Sequence, residues 1–414
     1  MRVVVFEDDR VDQLNPISLA RPAYSITCGG IRLIDWLELL ECPICGIVRP
    51  HLRGVQEVDL PEWEDELSAE GEISLLVNAR AVPSRTLYEQ LQTMISVGQP
   101  GAVRCGGHLV AACVNHAPAA AQTEGLDKLT ERFQGRRIRD LPAIDADLPL
   151  LEYPHDVIRY NIEILAENLE CRLTTNRYRE IRDGVFAAPD AHLGEYCVTD
   201  TRTGPIVLER GAVIGPFCSL SGPAYIGNGA RLIEHAAIKD YVTIGHTTKI
   251  GGEVEASVIE PFTNKQHHGF LGHSYLGSWI NLGAGTCNSD LKNTYGNINM
   301  EYRGEKTATG MQFVGCIMGD YAKTAINTGI FTGKTIGVCS MLYGFVTTNV
   351  PSFVNYARLF GQVTELPPEI MIAAQKRMFR RRNVEQRPCD VQLIYDMSEL
   401  TRDERQLGGG PLTF

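Results

Sequence analysis

Aliphatic side chains recur at every sixth position along one stretch of the chain. This period matches neither the helical period of an α-helix nor the alternation of a β-strand. It is typical of a coil with three flat sides, in which each side takes one hexapeptide and side chains one coil apart stack inside. The pattern therefore predicts a parallel β-helix. Its predicted interior positions are Leu208, Ile214, Leu220, Ile226, Leu232, Ile238, Ile244 and Ile250.

The same period continues after two interruptions. Residues 253–269 are interpreted as an inserted loop, the period returns at Phe270, and a second break covers residues 287–313 before it resumes at Met318. Both breaks carry polar and basic side chains. Because insertions in a solenoid collect on one face and build binding surfaces there, we expect the two breaks to border a ligand site.

The first 184 residues have a different pattern, in which short apolar strands alternate with helices. This alternation predicts a Rossmann-like α/β domain whose ligand site lies beyond the C-terminal ends of the strands. We therefore expect an α/β domain at 1–184, the β-helix at 185–352, and a C-terminal helix and tail at 353–414. The predicted strands are 3–6, 44–48 and 74–77, with a hairpin at 103–114, and the predicted helices are 33–40, 85–95, 156–169 and 367–383.

Composition narrows the class of protein. A net charge of -11 argues against nucleic acid as the main partner. The acidic start of the chain is unlike a signal peptide, and no apolar run reaches membrane-spanning length. Twelve cysteines without a framework spacing, including the single pair Cys42 and Cys45, favour reduced thiols over a metal or redox site. We expect a cytoplasmic protein that acts on small molecules, with no membrane partner.

Acidic residues follow the first predicted strand, at the edge where an α/β domain binds its ligand. Glu7, Asp8 and Asp9 could hold Mg²⁺ there, or they could form a solvated acidic loop. Arg21, which precedes a proline and is followed by the pair Gly29-Gly30, could contact a phosphate or belong to an ordinary turn. Both alternatives stay open from the sequence.

Two motifs in the predicted β-helix carry a family resemblance. The runs Gly-His-Ser-Tyr-Leu-Gly at 272–277 and Asn-Leu-Gly-Ala-Gly-Thr-Cys-Asn at 281–288 are similar to the acetyltransferase half of the GlmU-like family. The chain as a whole resembles a divergent branch of that family described as sugar nucleotidyltransferases. The resemblance implies an α/β nucleotidyltransferase-like N-terminal domain, a left-handed parallel β-helix and a C-terminal helix. It also implies a homotrimer with active sites between neighbouring β-helices.

The resemblance further implies an acetyl-CoA-dependent transferase that acts on a sugar phosphate in nucleotide-sugar synthesis. His273 matches the position of the catalytic base, and a histidine suits this task because it titrates near neutral pH. Ala284 matches a backbone contact to acetyl-CoA, and Lys265 could take the part of a phosphate-binding lysine. The other positions that match substrate-binding residues are Tyr275, Asn281, Asn288 and Lys292.

The N-terminal domain departs from the family pattern. Residues 7–10 replace a glycine-rich loop, Arg21-Pro22 stands where a proline-lysine pair is expected, and 78–80 replaces the glycine-aspartate that binds Mg²⁺. Without that lysine and aspartate, charge on a transferring nucleotidyl group is poorly balanced. We therefore expect weak nucleotide binding, through Asp8 and Arg21, and slow or absent nucleotidyl transfer, which would need Mg²⁺ if it occurs.

Two other functions remain possible from the sequence. In γ-class carbonic anhydrases, a related solenoid binds a metal through histidines between subunits. Here His268 and His273 have the matching spacing, and His235 or His246 could be a third ligand. The chain could also be a sugar-nucleotide-binding protein without catalytic activity.

Overall fold

The computed structural model describes residues 1–63, 73–115, 135–174, 177–358 and 361–407. These residues form two compact units, the first made of Met1–Ile26 and Ile31–Tyr153, the second of Thr27–Gly30 and Pro154–Phe414. The division into three domains drawn from the sequence stays a prediction. No helix in the described part of the chain is long and apolar enough to cross a membrane.

The first unit is built on a five-stranded sheet in which the strands at 44–47, 2–6, 74–78, 108–114 and 101–105 lie side by side in this order. The second strand in this order, at 2–6, is buried along its whole length and pairs in parallel with both neighbours, which explains why it reads as a continuous apolar run. The predicted hairpin forms the antiparallel edge. The strands up to this edge are β1 (Arg2–Phe6), β2 (Thr27–Cys28, grouped with the second unit), β3 (Ile31–Arg32), β4 (Ile44–Ile47), β5 (Ser74–Asn78), β6 (Gly101–Cys105) and β7 (His108–Val114).

Two helices of this unit, at 33–38 and 85–97, lie where they were predicted, and two short helices at 53–59 and 136–139 were not predicted. The longest begins after Ser84, whose side chain accepts the Leu87 N–H, and ends at Gly98 in a left-handed conformation. Its buried side chains Leu87, Leu91 and Met94 form one face, as the helical period predicts. The helices of this unit are α1 (Leu33–Glu38), α2 (Arg53–Asp59), α3 (Arg85–Val97) and α4 (Arg136–Arg139).

The second unit contains a β-helix with three faces. Face 1 consists of β8 (Arg179–Arg182), β9 (Val185–Ala187), β12 (Ile206–Leu208), β15 (Ala224–Ile226), β18 (Val242–Ile244), β21 (Val258–Ile259), β24 (Tyr275–Leu276), β28 (Cys316–Met318) and β31 (Lys334–Ile336). Face 2 consists of β10 (His192–Leu193), β13 (Val213–Ile214), β16 (Arg231–Leu232), β19 (Lys249–Ile250), β22 (Asn264–Lys265), β29 (Lys323–Thr324), β32 (Met341–Leu342), β34 (Val354–Ala357) and β35 (Gln362–Glu365). Face 3 consists of β11 (Val198–Asp200), β14 (Ser219–Ser221), β17 (Ala237–Ile238), β20 (Glu253–Glu255), β23 (Phe270–Gly272), β25 (Cys287–Asn288), β30 (Gly329–Ile330) and β33 (Phe345–Val346).

The predicted interior positions fill the β-helix. Ile214 pairs with Leu232, and Leu232 pairs with Ile250, so that residues one coil apart stack. All eight positions belong to one core cluster, and each is at most 2% exposed. Complete burial of one such side chain contributes about 1.5–3 kcal/mol, so the stack is a major source of stability. The predicted fold class, an α/β domain followed by a left-handed parallel β-helix and a C-terminal helix, is confirmed.

The interpretation of residues 253–269 as an inserted loop is wrong. These residues form β20, β21, β22 and the corners between them, so the coil is complete. The coil is shorter than its predecessors, because Ile250 now pairs with Lys265 and Ile244 with Ile259. The shorter coil moves the following interior positions out of step with the six-residue period. In the sequence, such a change cannot be distinguished from an inserted loop.

The second break is a true excursion from the β-helix. Face 1 passes directly from Tyr275 to Ile317, and the intervening residues carry an antiparallel hairpin of β26 (Asn299–Tyr302) and β27 (Glu305–Ala308). The hairpin is held to α5 (Asp156–Leu173) by the hydroxyl of Tyr302, which lies 2.8 Å from His155 Nδ1. Burial lowers the pKa of His155 to about 4, so this contact involves a neutral imidazole at pH 7.

The C-terminal segment contains more helix than predicted. The expected helix is α6 (Pro368–Arg380), and it is followed by α7 (Pro388–Leu400) and α8 (Arg402–Leu407). The start of α7 is marked by its first residue, Pro388, and by Asp390, which accepts the Arg387 N–H at 2.8 Å. These start signals are present in the sequence, but the apolar pattern of α7 is too short to predict a helix there.

Candidate functional site

His273 lies at the corner between faces 3 and 1, where the chain passes from β23 to β24. Its backbone has a left-handed conformation with φ of 45°. The His273 N–H donates to the Glu255 carbonyl oxygen at 3.0 Å, and its own carbonyl accepts the Gly315 N–H at 2.7 Å. The corner is thus fixed by the neighbouring coils on both sides, and the imidazole, 15% exposed, stacks on the ring of Phe313 at 5.1 Å.

The imidazole has a carboxylate partner. His273 Nδ1 lies 2.9 Å from Asp290 Oδ2, and Asp290 belongs to the excursion that follows β25. A carboxylate on Nδ1 favours the tautomer with its proton there, which leaves Nε2 as an acceptor. The pair is therefore suited to take a proton from a substrate. Asp290 lies in the second break of the six-residue period, but no local spacing in the sequence reveals a contact 17 residues apart.

Two predicted substrate-binding residues support this corner from inside the fold. Tyr275 is fully buried, and its hydroxyl donates to Glu260 Oε1 at 2.8 Å. The Asn288 amide accepts the Gly272 N–H at 2.9 Å and donates to the Gly272 carbonyl at 3.0 Å. Both side chains have internal partners beside His273. Their assignment to substrate binding stays a prediction, and these contacts favour a positioning role.

Lys265 lies inside the β-helix. It is 2% exposed, and its ammonium donates to the carbonyl oxygens of Gly251 at 2.6 Å, Gly269 at 2.7 Å and His267 at 3.2 Å. Burial lowers the pKa of Lys265 to about 8. These three acceptors occupy all three ammonium protons, so the geometry does not favour the predicted phosphate contact.

A groove of about 650 Å³ crosses face 2 beside the C-terminal end of α6. Two of the predicted residues, Asn281 and Ala284, line it. Its aromatic wall is Trp279, whose ring packs at 4.2 Å against Phe262 and at 4.4 Å against Phe379 of α6. The helix is therefore held on the β-helix by stacked rings, and the groove is a built feature of the second unit.

The groove is cationic, although the whole chain is acidic. Among the described residues that line it are Lys249, Lys323, Arg381 and Arg382, and none is an aspartate or glutamate. Burial, together with the charges of Arg382, Arg231 and Arg381, lowers the pKa of Lys249. Burial likewise lowers the pKa of Lys323 to about 8. A bound anion would relieve this repulsion, so the groove is suited to a phosphate-bearing ligand.

These cations were only partly visible from the sequence. The basic run 376–382 is present in the sequence, but basic residues near the end of a predicted helix also suit the negative end of the helix dipole. The structure places Arg381 and Arg382 on the groove, and Arg382 Nη2 donates to Asn264 Oδ1 at 2.5 Å. Neither His273 nor Lys292 lines the groove, and the Lys292 ammonium instead donates to the Asn297 carbonyl within the excursion.

In the first unit, Glu7 and Asp8 after β1 are buried in ion pairs, whereas Asp9 is exposed. Glu7 is fully buried and accepts the Ala23 N–H at 2.9 Å, the Arg49 N–H at 2.8 Å and Arg49 Nε at 3.0 Å. Arg49 also donates to the Ser18 carbonyl at 2.6 Å. Glu7 and Arg49 thus hold the loop that follows β1, and Arg21 belongs to this loop through its carbonyl, 3.5 Å from Arg49 Nη2.

Asp8 forms a second buried ion pair. Arg80 Nε and Nη2 donate to its two oxygens at 2.8 Å each, and Asn78 Nδ2 adds a contact of 2.8 Å. Burial alone would raise the pKa of Asp8, but the hydrogen bonds and charge of Arg80 hold it below its usual value. No group of three or more histidine, cysteine, aspartate or glutamate side chains in the described ranges could hold a metal ion. The Mg²⁺ that the family resemblance implies therefore does not fit these residues.

The glycines considered with Arg21 have a packing role. The Gly29 N–H donates to Asn161 Oδ1 at 3.0 Å, and a Cβ on Gly29 would lie 2.4 Å from Ile164 of α5. Only glycine allows this approach at φ of 64°. A phosphate role for this glycine pair is therefore not favoured.

The carbonic anhydrase alternative is not favoured. His268 and His273 lie at opposite ends of β23, on different corners of the β-helix. His235 stacks on Phe217 at another corner, and His246 packs edge-on against Phe262. In the described part of the chain, these imidazoles do not converge, and His273 Nδ1 contacts Asp290 Oδ2 at 2.9 Å.

Sequence comparison identifies relatives of this chain. Residues 3–177 match the family described as sugar nucleotidyl transferase. The bifunctional sugar-1-phosphate nucleotidylyltransferase/acetyltransferase of Sulfurisphaera tokodaii is 28% identical over 159 residues, which cover 38% of this chain and 39% of that protein. The bifunctional protein GlmU of Rippkaea orientalis is 28% identical over 143 residues, covering 33% and 32%. The alignments thus span less than half the length of these relatives.

Solved structures similar to the chain include the UDP-N-acetylglucosamine acyltransferase of Francisella novicida, with 16% identity, a TM-score of 0.34, and coverage of 54% of this chain and 76% of that one. LpxA of Acinetobacter baumannii has 15% identity and a TM-score of 0.26, covering 55% and 86%. The resemblance of this chain to the GlmU-like family of sugar nucleotidyltransferases and acetyltransferases is confirmed.

Proposed function

We propose that the chain is a GlmU-like transferase whose β-helix transfers an acetyl group from acetyl-CoA to the amine of a sugar phosphate, in nucleotide-sugar synthesis. The observation that carries the proposal is the hydrogen bond between His273 Nδ1 and Asp290 Oδ2 within the family's motif. The names of the sequence relatives, which include both transferase activities, support the same class of enzyme. We also propose a cytoplasmic location, because acetyl-CoA is available there.

The chemistry assigns His273 the role of general base. His273 Nε2 takes a proton from the sugar amine as its nitrogen attacks the thioester carbonyl carbon. Asp290 holds the imidazole in the required tautomer and stabilises the imidazolium that forms. The tetrahedral intermediate then collapses, the C–S bond breaks, and the CoA thiolate leaves and takes up a proton.

The groove on face 2 suits the acyl donor. Acetyl-CoA carries several phosphates, and Lys249, Arg381 and Arg382 offer positive charge without a competing carboxylate among the described lining residues. Ala284 and Asn281 lie along the same groove, as the assignment of an acetyl-CoA contact to Ala284 requires.

His273 and the groove lie on different sides of one β-helix, so a complete site needs a second copy of the chain. Exposed apolar side chains on face 3 and its corners support this arrangement, since such patches are typical of protein interfaces. They are Val198, Phe217, Ile326, Phe331 and Phe345, each at least 50% exposed. A homotrimer, as the family resemblance implies, would place the groove of one subunit against the His273 corner of its neighbour.

The test is release of free thiol from acetyl-CoA in the presence of amino-sugar phosphates. General-base catalysis contributes about 10²–10⁴-fold, so His273→Ala should lower kcat by that factor and leave KM for acetyl-CoA nearly unchanged. Asp290→Asn should lower kcat less. His192→Ala, at a histidine on the first coil, is the matched control. Full activity of His273→Ala would place the base elsewhere, with His268 the next candidate.

A further inference from the structure

Two carboxylates converge on one guanidinium at the edge of the first unit's sheet. Asp8 follows β1 and Arg80 follows β5, and these two strands are parallel neighbours in which Phe6 pairs with Asn78. Arg80 Nη1 also donates to the Leu151 carbonyl at 2.7 Å and lies 3.3 Å from Glu152 Oε1. Arg80 is fully buried and Asp8 is 1% exposed, so the cluster is shielded from solvent at its centre.

The Asp8 carboxylate is saturated. Its Oδ1 accepts the Arg10 N–H at 3.2 Å and Arg80 Nε at 2.8 Å, while its Oδ2 accepts Asn78 Nδ2 and Arg80 Nη2, both at 2.8 Å. A carboxylate oxygen has about two lone pairs in the carboxyl plane. Asp8 therefore has no position left for a metal ion while Arg80 is in place.

The charges of the cluster balance without a metal. Arg10 Nη1 donates to the second Glu152 oxygen at 3.2 Å, so Arg10 and Arg80 together face the carboxylates of Asp8 and Glu152. Two guanidinium groups supply the same total positive charge as one divalent ion. An arginine remains protonated at any physiological pH, so this charge is permanent.

We infer that Arg80 is a fixed substitute for a divalent cation, bridging Asp8 and Glu152 at the ligand edge of the first unit. Because Arg80 is fully buried, it balances the internal carboxylates and cannot itself reach a transferring phosphate. The first unit therefore folds, and binds any nucleotide or sugar phosphate, without Mg²⁺. This inference concerns the first unit and is independent of the acyl transfer proposed for the β-helix.

The first test measures Mn²⁺ binding to the full chain by electron paramagnetic resonance. Arg80→Ala removes the guanidinium and leaves Asp8, Glu152 and the Leu151 carbonyl around a vacant position, a set of oxygen ligands that suits a hard cation. Arg80→Ala should gain one bound Mn²⁺ relative to the unchanged protein, and Asp8→Asn in the same background should lose it. Arg104→Ala, at an arginine that donates to the Ile138 carbonyl at 2.6 Å, should gain none.

Thermal unfolding gives a second readout. Arg80→Ala leaves a buried carboxylate without its partner and should lower the Tm of the first unit by an amount on the order of 10 °C. Millimolar guanidinium chloride should restore part of this loss, whereas sodium chloride should not. Arg80→Lys keeps a cation, and is expected to fold without gaining a Mn²⁺ site.

If Arg80→Ala does not fold, measurements on the unchanged protein still test the inference. Chelation by EDTA should leave its Tm and its retention of UDP-sugars unaltered. A Tm that falls on chelation, or a stoichiometric Mn²⁺ site in the unchanged protein that Asp8→Asn abolishes, would overturn the inference. So would an Arg80→Ala protein that folds but neither binds Mn²⁺ nor responds to guanidinium.

Discussion

At the scale of single residues, the chain places charged side chains in its interior and gives each a fixed set of partners. Lys265 occupies an interior position of the β-helix where the preceding coils have Leu232 and Ile250. Its ammonium meets three carbonyl oxygens in place of water. Such a group responds to pH differently from a surface lysine, because burial changes its affinity for a proton.

The stability of the β-helix should therefore depend on pH through Lys265. Its pKa falls from 10.5 to about 8 on folding, because of burial. Between these two values the unfolded chain holds the proton and the folded chain does not, so the contribution of Lys265 to stability rises with pH. Below pH 8 both states are protonated and the contribution is constant.

The measurement is urea unfolding of the unchanged protein and of Lys265→Met at several pH values from 7 to 10. The unchanged protein should gain stability relative to Lys265→Met above pH 8, by at most about 3 kcal/mol. Lys239→Met, at an exposed lysine, should show no such trend. A stability difference that stays constant over this range would contradict the prediction.

Arg382 should contribute to binding of the acyl donor and not to the chemical step. It lines the cationic groove, and removal of a charge that pairs with a phosphate weakens the ground state and the transition state alike. Arg382→Gln should therefore raise KM for acetyl-CoA roughly tenfold, the effect of about 1.4 kcal/mol, with little change in kcat. Arg380→Gln, at an exposed neighbour outside the groove lining, is the control.

At the scale of elements, the sequence predicted the interior positions of the β-helix, because they follow from a local repeat. Positions such as Ile214 and Ile250 follow from a period that is independent of the rest of the fold. The shortened coil at Lys265 could not be predicted, because a change in the spacing of interior positions has the same appearance in the sequence as an insertion. Contacts between distant segments were out of reach, since nothing near His273 indicates Asp290 and nothing near Asp8 indicates Arg80, 72 residues later.

Helix α6 should depend on one aromatic contact. Phe379 is 4% exposed and packs on Trp279, and removal of a buried phenylalanine costs about 3–5 kcal/mol. Phe379→Ala should release the helix and open one wall of the groove. Hydrogen exchange should become faster across α6, whereas Ile370→Ala, at a residue of the same helix that is 47% exposed, should leave exchange unchanged. Unaltered protection in Phe379→Ala would show that other contacts hold the helix.

At the scale of the whole molecule, the chain is acidic overall but has a cationic groove on face 2 of its β-helix. The net charge of -11 keeps the protein away from polyanions in general, while the groove attracts a small phosphate-bearing ligand locally. The proposed site also requires assembly, because it joins the groove of one copy to His273 of another.

Light scattering should give a mass three times 45.7 kDa. Phe345→Glu places a charge on the exposed apolar part of face 3 and should reduce the mass toward one chain, with loss of acetyl transfer. Val97→Glu, at an apolar residue of the first unit that is 58% exposed, should stay trimeric. An active monomer would contradict both the assembly and the shared site.

The buried pair of Asp8 and Arg80 also constrains which substitutions the first unit can accept. A single substitution of Arg80 leaves a buried carboxylate unbalanced, and a single substitution of Asp8 leaves a buried guanidinium unbalanced. A metal-dependent site therefore cannot arise here by one substitution without passing through a less stable protein, unless a metal ion is captured at once. Conversion of this site requires coordinated changes at both positions.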